Sequence, residues 1–117
     1  MDLSNFESLV NKHLSAIKFP TSPKNLYEPI EYFISIGGKR VRPIASLITF
    51  SLFKEINADI INASLAIEIF HNFTLAHDDI MDDDRLRRGK ASTHVKFGES
   101  TAILAGNSLL TLSLIHI

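Results

Sequence analysis

From Ile60 to Asp83 the chain reads IINASLAIEIFHNFTLAHDDIMDD, a stretch without glycine or proline that is apolar for most of its length and ends in acid. Leu65, Ala66, Ile69, Phe73, Ala76 and Ile80 recur at three- and four-residue steps, the helical period. A long apolar helix must hide its surface against other elements, and the elements on offer are also helical. Leu3, Phe6, Leu9, Val10, Leu14 and Ile17 keep the same period, as do Leu26, Ile30, Phe33 and Ile34 up to Gly37-Gly38. FPTSPK, with two prolines, separates these two helices. After GGKRVRP the run IASLITFSLFKEI is apolar around most of its circumference, with Pro43 in the first turn, and is expected to be buried. Asn57 to Asp59 supply a turn and an N-cap for the long helix. Residues 85 to 98 read as a loop or short helix, and TAILAGNSLLTLSLI opens a last apolar helix. No strand alternation, repeat or linker is visible, so the expected class is all-α in a single domain.

Composition excludes several functions. The 117 residues are 45% hydrophobic and carry 12 basic against 13 acidic side chains, a formal net charge of −1, which does not suit a nucleic-acid binder. No cysteine is present, so thiolate metal sites and cysteine nucleophiles are excluded. The N-terminal segment has acids at Asp2 and Glu7 and no continuous apolar run, so it reads as an amphipathic helix and not as an export signal. The last apolar stretch carries Asn107 and His116 and is expected to be a core helix, not a membrane span. A cytoplasmic location is expected.

Charge is concentrated in HDDIMDDDRLRRG, where five aspartates fall within seven residues and Arg85, Arg87 and Arg88 follow. At about 100° per residue, His71, Asp78 and Asp82 fall within roughly 40° of one helix face. Carboxylates at a helix C-terminus face the negative end of the dipole and repel one another one turn apart, so a compensating cation is expected. A hard divalent ion, Mg2+, suits one or two carboxylates combined with substrate phosphate oxygens. An EF-hand is excluded, because its sixth and twelfth places counted from Asp78 hold Asp83 and Gly89. The basic turn GGKRVRP, with Lys39, Arg40 and Arg42, precedes a helix N-terminus that favours an anion, but it is not a P-loop.

In order and spacing, GGKRVRP, the helix ending HDDIMDD, the RRG that follows and KFGESTAILAGN resemble the trans-isoprenyl diphosphate synthases, or polyprenyl synthetases, over about Gly37 to Leu110. The resemblance implies the N-terminal part of a helical isoprenoid synthase bundle, usually a homodimer. It implies that Asp78, Asp79 and Asp82 form the first DDxxD motif, holding Mg2+ against the diphosphate of an allylic substrate that Arg87 also grips. Lys39, Arg42, His71 and Arg88 match the residues that bind isopentenyl diphosphate. Phe73, with the small Thr74 beside it, stands five residues before Asp78, where the family's short-chain enzymes limit product length; the other reading is an ordinary core phenylalanine, because Phe73 also falls on the apolar side of the helix. The implied reaction is ionisation of the allylic diphosphate, condensation with isopentenyl diphosphate and loss of a proton.

Two positions depart from the family pattern: Ala91 stands where RRGxPT has proline, and Asn107 where AILAGD has aspartate. The second aspartate-rich motif expected downstream is not in these 117 residues, so the chain is expected to be an incomplete domain and inactive alone. Residues 112 to 117, LSLIHI, equal the translation of a transposon mosaic-end adapter, and the natural protein is expected to continue beyond about Thr111. A class I terpene cyclase also carries DDxxD but has no second diphosphate for GGKRVRP to hold. A non-catalytic partner subunit commonly loses the aspartates kept here. His13, His94 and His116 are expected to be surface or structural, and Phe50, Phe53 and Phe70 core.

Overall fold

The computed structural model describes residues 2–116. Helix α1 (Leu3–Ser15) starts at Asp2, whose carboxylate accepts from the Asn5 backbone N–H at 3.0 Å. Helix α2 (Lys24–Ser35) begins after Pro23 and stops before Gly37, whose φ of +89° suits glycine. Helix α3 (Val41–Ser51) follows the basic turn, and α4 (Ala58–Met81) is capped by Asn57, which accepts from Ile60 N–H at 3.1 Å. A hairpin of β1 (Leu86–Arg87) and β2 (Lys90–Ala91), a short α5 (Thr93–Phe97) and α6 (Glu99–His116) complete the order.

The long apolar segment is the axis on which the rest is assembled. Helix α4 packs most extensively on α6, where the small residues Ala102, Ala105 and Gly106 are buried against it. A Cβ on Gly106 would run into the His77 ring, so this crossing needs glycine. His77 completes the contact by donating from Nε2 to the Ile103 carbonyl at 3.3 Å. Leu47 of α3, Ile69 of α4 and Leu109 of α6 are fully buried, while Phe6, Val10 and Leu14 add the inner face of α1. Side-chain burial of this size is worth about 1.5 to 3 kcal/mol per large apolar residue.

One ionic pair lies within this apolar framework. Arg40, only 5% exposed, pairs with Glu68 of α4 at 2.9 Å; it also donates to the Asn11 side chain at 3.2 Å and to the Ile34 carbonyl at 3.3 Å. A single guanidinium therefore joins α1, the end of α2 and α4. Its backbone φ of +54° lets the turn aim this side chain inward.

Three expectations need correction. The segment after the acidic cluster holds a two-stranded antiparallel hairpin, with Leu86 opposite Ala91 and Arg87 opposite Lys90. Strands of two residues are too short to display alternation. Helix α3 is not buried all round: Pro43, Ile44 and Leu47 face inward, whereas Val41 and Ile48 are exposed. Phe53 is 82% exposed and Phe70 47%, so neither is core, and Phe50 is half-buried. The reason is thickness: the molecule measures 44 × 28 × 18 Å, about two helix diameters in its shortest direction, so each long helix has a face with no neighbour. The segment Leu112 to His116 continues α6, with Ser113 buried and Leu114 and Ile115 exposed; Ile117 lies outside the described residues. Among the described residues no helix is long and apolar enough to cross a membrane.

Removing one partner of the Arg40–Glu68 pair leaves a buried charge without compensation. Glu68→Leu should cost about 3 to 5 kcal/mol in urea denaturation, and Arg40→Met combined with it should recover most of that loss. A single-variant loss below about 1 kcal/mol would show that the pair does not organise the fold.

Candidate functional site

The C-terminal turn of α4 sorts its aspartates by burial. Asp78 and Asp82 are exposed one turn apart, and Asp82 is the C-cap residue of the helix. Asp79 is buried on the inner face and accepts a two-pronged bond from Arg87, with Nε at 2.9 Å and Nη2 on the other carboxylate oxygen. The Asp79 carbonyl also accepts the Asp84 N–H at 2.9 Å. The Asp79 carboxylate holds the Arg87 guanidinium above its already high pKa range, chiefly through this hydrogen bond and against the opposing effect of burial.

Asp78 and Asp82 make no ion pair among the described residues. They offer hard carboxylate oxygens at the negative end of a helix, but among the described residues no group of three or more His, Asp or Glu side chains stands close enough to hold a metal ion, so a hard cation here would draw its other ligands from phosphate oxygens or water. Asp79 is already engaged by Arg87, so the three carboxylates of the motif are not equivalent.

The second group of predicted residues meets across the molecule. Lys39, Arg42, His71 and Arg88 line one cavity of about 210 Å3, with the Arg40–Glu68 pair contributing to its wall. Arg42 Nη1 donates to His71 Nε2 at 3.1 Å; a guanidinium only donates, so this nitrogen accepts and the imidazole is neutral. Burial, reinforced by the positive charges of Arg42, Arg88 and Arg87, pushes the His71 pKa below its ordinary value, while Glu68 opposes the shift. Arg88 donates to the Gly37 carbonyl, and a Cβ on Gly38 would occupy the place of its guanidinium. A side chain at this second glycine of the turn would therefore displace the guanidinium of an arginine fifty residues downstream.

Arg87 and Arg88 adjoin in sequence but serve different places. Arg87 ends β1, while Arg88 and Gly89 form the two-residue loop with φ of +52° and +79°, as a type I′ turn requires. The turn sends Arg87 toward Asp79 and Arg88 toward Gly37. Phe73 lies half-buried on α4 between the rings of Phe70, at 5.5 Å, and His77, at 4.9 Å. Thr74 turns its hydroxyl onto the His71 carbonyl at 2.6 Å. The remaining histidines bond to backbone: His13 to Leu9, His94 to Asp84 and His116 to Leu112.

Sequence reasoning missed Glu68, Tyr32 and the inward role of Arg40. Glu68 had a signal, being the one charge between Asp59 and His71 on an apolar helix. Tyr32, whose hydroxyl donates to the Ala91 carbonyl at 2.5 Å, had none, since its partner is 59 residues away.

The sequence profile described as Polyprenyl synthetase matches residues 23–117. The chain belongs to the polyprenyl synthetase family. It is 44% identical over 101 residues to a geranylgeranyl pyrophosphate synthase of Geoglobus acetivorans, covering 86% of this chain and 32% of that protein. It is 41% identical over 109 residues to a farnesyl diphosphate synthase of Micrococcus luteus, covering 92% and 37% respectively. A crystal structure of geranylgeranyl pyrophosphate synthase superposes with a TM-score of 0.93 at 38% identity, covering 99% of this chain and 36% of that one. The geranyltranstransferase of Thermotoga maritima gives 0.91 at 31% identity, covering 98% and 44%. This polyprenyl synthetase chain therefore spans about a third of the length of those curated relatives, and its helices follow the isoprenoid synthase fold.

The neutral imidazole gives a pH-dependent consequence. Because the folded-state pKa of His71 is lowered, its contribution to stability is present above the unfolded value near 6.5 and is lost as pH falls through the folded value. NMR titration should place the His71 midpoint below 6.5, and Arg42→Ala should move it part of the way back up. A midpoint unaffected by Arg42→Ala would remove the electrostatic part of the explanation.

Proposed function

We propose that this chain supplies two diphosphate-binding sites of a trans-prenyl diphosphate synthase, which joins an allylic diphosphate to isopentenyl diphosphate. The observation that carries the reading is the divergence of Arg87 and Arg88 from one hairpin, each to a different cluster of charge. A catalyst with two diphosphate substrates needs two anion sites held apart, and a terpene cyclase needs one. Family membership supports the same reading.

At the first site Asp78 and Asp82 would hold Mg2+, with Arg87 beside them contributing positive charge toward the allylic diphosphate. When bound, the metal would supply charge neutralisation that makes diphosphate a better leaving group. Asp79 orients Arg87 through its two-pronged hydrogen bond. At the second site Lys39, Arg42 and Arg88 would bind the diphosphate of isopentenyl diphosphate, with neutral His71 orienting Arg42. Fixed cations aimed at developing negative charge are the protein's main contribution to such a reaction. The apolar flank of α4, with Phe73, would meet the growing isoprenoid tail and limit its length. A homodimer is the assembly in which we expect the complete site to work.

Binding measurements separate the sites. Arg87→Ala should mainly weaken a non-ionisable allylic thiodiphosphate in the presence of Mg2+, and Arg88→Ala mainly isopentenyl diphosphate, each by about 1.5 to 3 kcal/mol. Asp78→Asn with Asp82→Asn should abolish the Mg2+-dependent part of allylic binding and leave isopentenyl diphosphate unaffected. Equal losses for both ligands in both arginine variants would defeat the two-site reading.

A further inference from the structure

The hairpin that carries the two arginines is too small to fix its own position, because an isolated two-stranded ribbon is at best marginally stable in water. Its placement is set by its tethers. On the α4 side these are the Arg87–Asp79 pair and the Asp84 N–H on the Asp79 carbonyl, with His94 Nε2 donating to the Asp84 carbonyl at 2.7 Å. On the α2 side there are two: Arg88 on the Gly37 carbonyl, and the Tyr32 hydroxyl on the Ala91 carbonyl at 2.5 Å. Tyr32 and Gly37 are five residues apart at the end of one helix, so α2 grips the hairpin at its β2 end and at its turn. The Tyr32 ring is itself held, edge-on to Phe97 at 5.4 Å and with the Lys96 ammonium 4.1 Å from its centroid, which orients the hydroxyl before it donates.

We propose that Tyr32 is a positioning residue for Arg88: by donating to the Ala91 carbonyl, its hydroxyl holds the hairpin where the Arg88 guanidinium reaches the basic cavity. The proposal rests on the reading of that cavity as a diphosphate site. It also assigns a direction. Loss of the Tyr32 bond leaves the α4 tethers intact, so Arg87 keeps its place, while on the α2 side Arg88 is left with its own bond to the Gly37 carbonyl alone. The ring contacts do not require the hydroxyl, so Tyr32→Phe removes the tether and keeps the packing.

Calorimetric titration of the chain with inorganic pyrophosphate in metal-free buffer reads the cavity. Tyr32→Phe should weaken this binding roughly three- to tenfold, the value of one neutral hydrogen bond, with the far-ultraviolet spectrum unchanged. Arg88→Ala should weaken it further, and adding Tyr32→Phe to Arg88→Ala should produce no additional loss. An equal loss on both backgrounds would mean that Tyr32 acts on the fold in general, and would overturn the proposal. Hydrogen exchange without ligand gives a separate reading: the Lys90 amide and the Ser92 amide, which bonds to the Arg85 carbonyl, should exchange faster in Tyr32→Phe, while the last turn of α4 stays as protected as before. Unchanged exchange at the hairpin overturns the positioning role even if pyrophosphate binding is weakened, and unweakened binding overturns it as well. Failure of the unaltered chain to bind pyrophosphate, with the exchange difference present, refutes the diphosphate reading and removes the proposal that rests on it.

Discussion

The buried pair of Arg40 and Glu68 is the constraint around which the site is built. Moving these charges out of water costs several kcal/mol per ion, and the cost is offset only when the geometry is good and the remaining polar atoms find partners. Arg40 meets that condition by reaching Glu68, Asn11 and the Ile34 carbonyl together. The consequence is positional. With Arg40 turned inward from a left-handed backbone, its neighbours Lys39 and Arg42 are left facing the cavity in which His71 and Arg88 also end. The pair thus leaves Arg40 engaged in the cavity wall by Glu68, while Lys39 and Arg42 line the same cavity without a carboxylate partner among the described residues.

The acidic end of α4 follows the same division. Helical geometry directs Asp79 toward the core and leaves Asp78 and Asp82 on the exposed flank. The buried carboxylate is satisfied by Arg87, and the exposed pair makes no ion pair among the described residues. Burial therefore converts a run of chemically identical residues into one anchor and two candidate ligands. The hairpin connects this end of the molecule to the basic cavity, since its I′ turn sends consecutive arginines in different directions. The two clusters share a short, externally tethered element, which links their geometries.

Much of this was legible in advance. The Asn57 cap, the stop at Gly37 and the long helix were readable because each depends on neighbours within one turn. The convergence of Lys39, Arg42, His71 and Arg88 was implied by family resemblance, and the cavity they line supplies its geometry. The expectation that Phe53 and Phe70 are core failed, because hydrophobicity reports a preference for burial without specifying what is available to cover the ring. The hairpin was missed because two-residue strands carry no period, and Tyr32 because its bond spans 59 positions.

The sequence by itself determined the helical class, the helix limits set by glycine, proline and asparagine, and the residue types available for binding anions and a hard cation. These are local properties, fixed by backbone sterics, hydrogen-bond closure within a turn and the 3.6-residue period. Tertiary structure decided which aspartate is buried, which cation turns inward and which side chains close in on Gly38 and Gly106. Those outcomes depend on the approach of segments far apart in the chain. Excluded volume and the cost of an unpaired buried charge, both set only when helices meet, then select one role for each of several equivalent side chains.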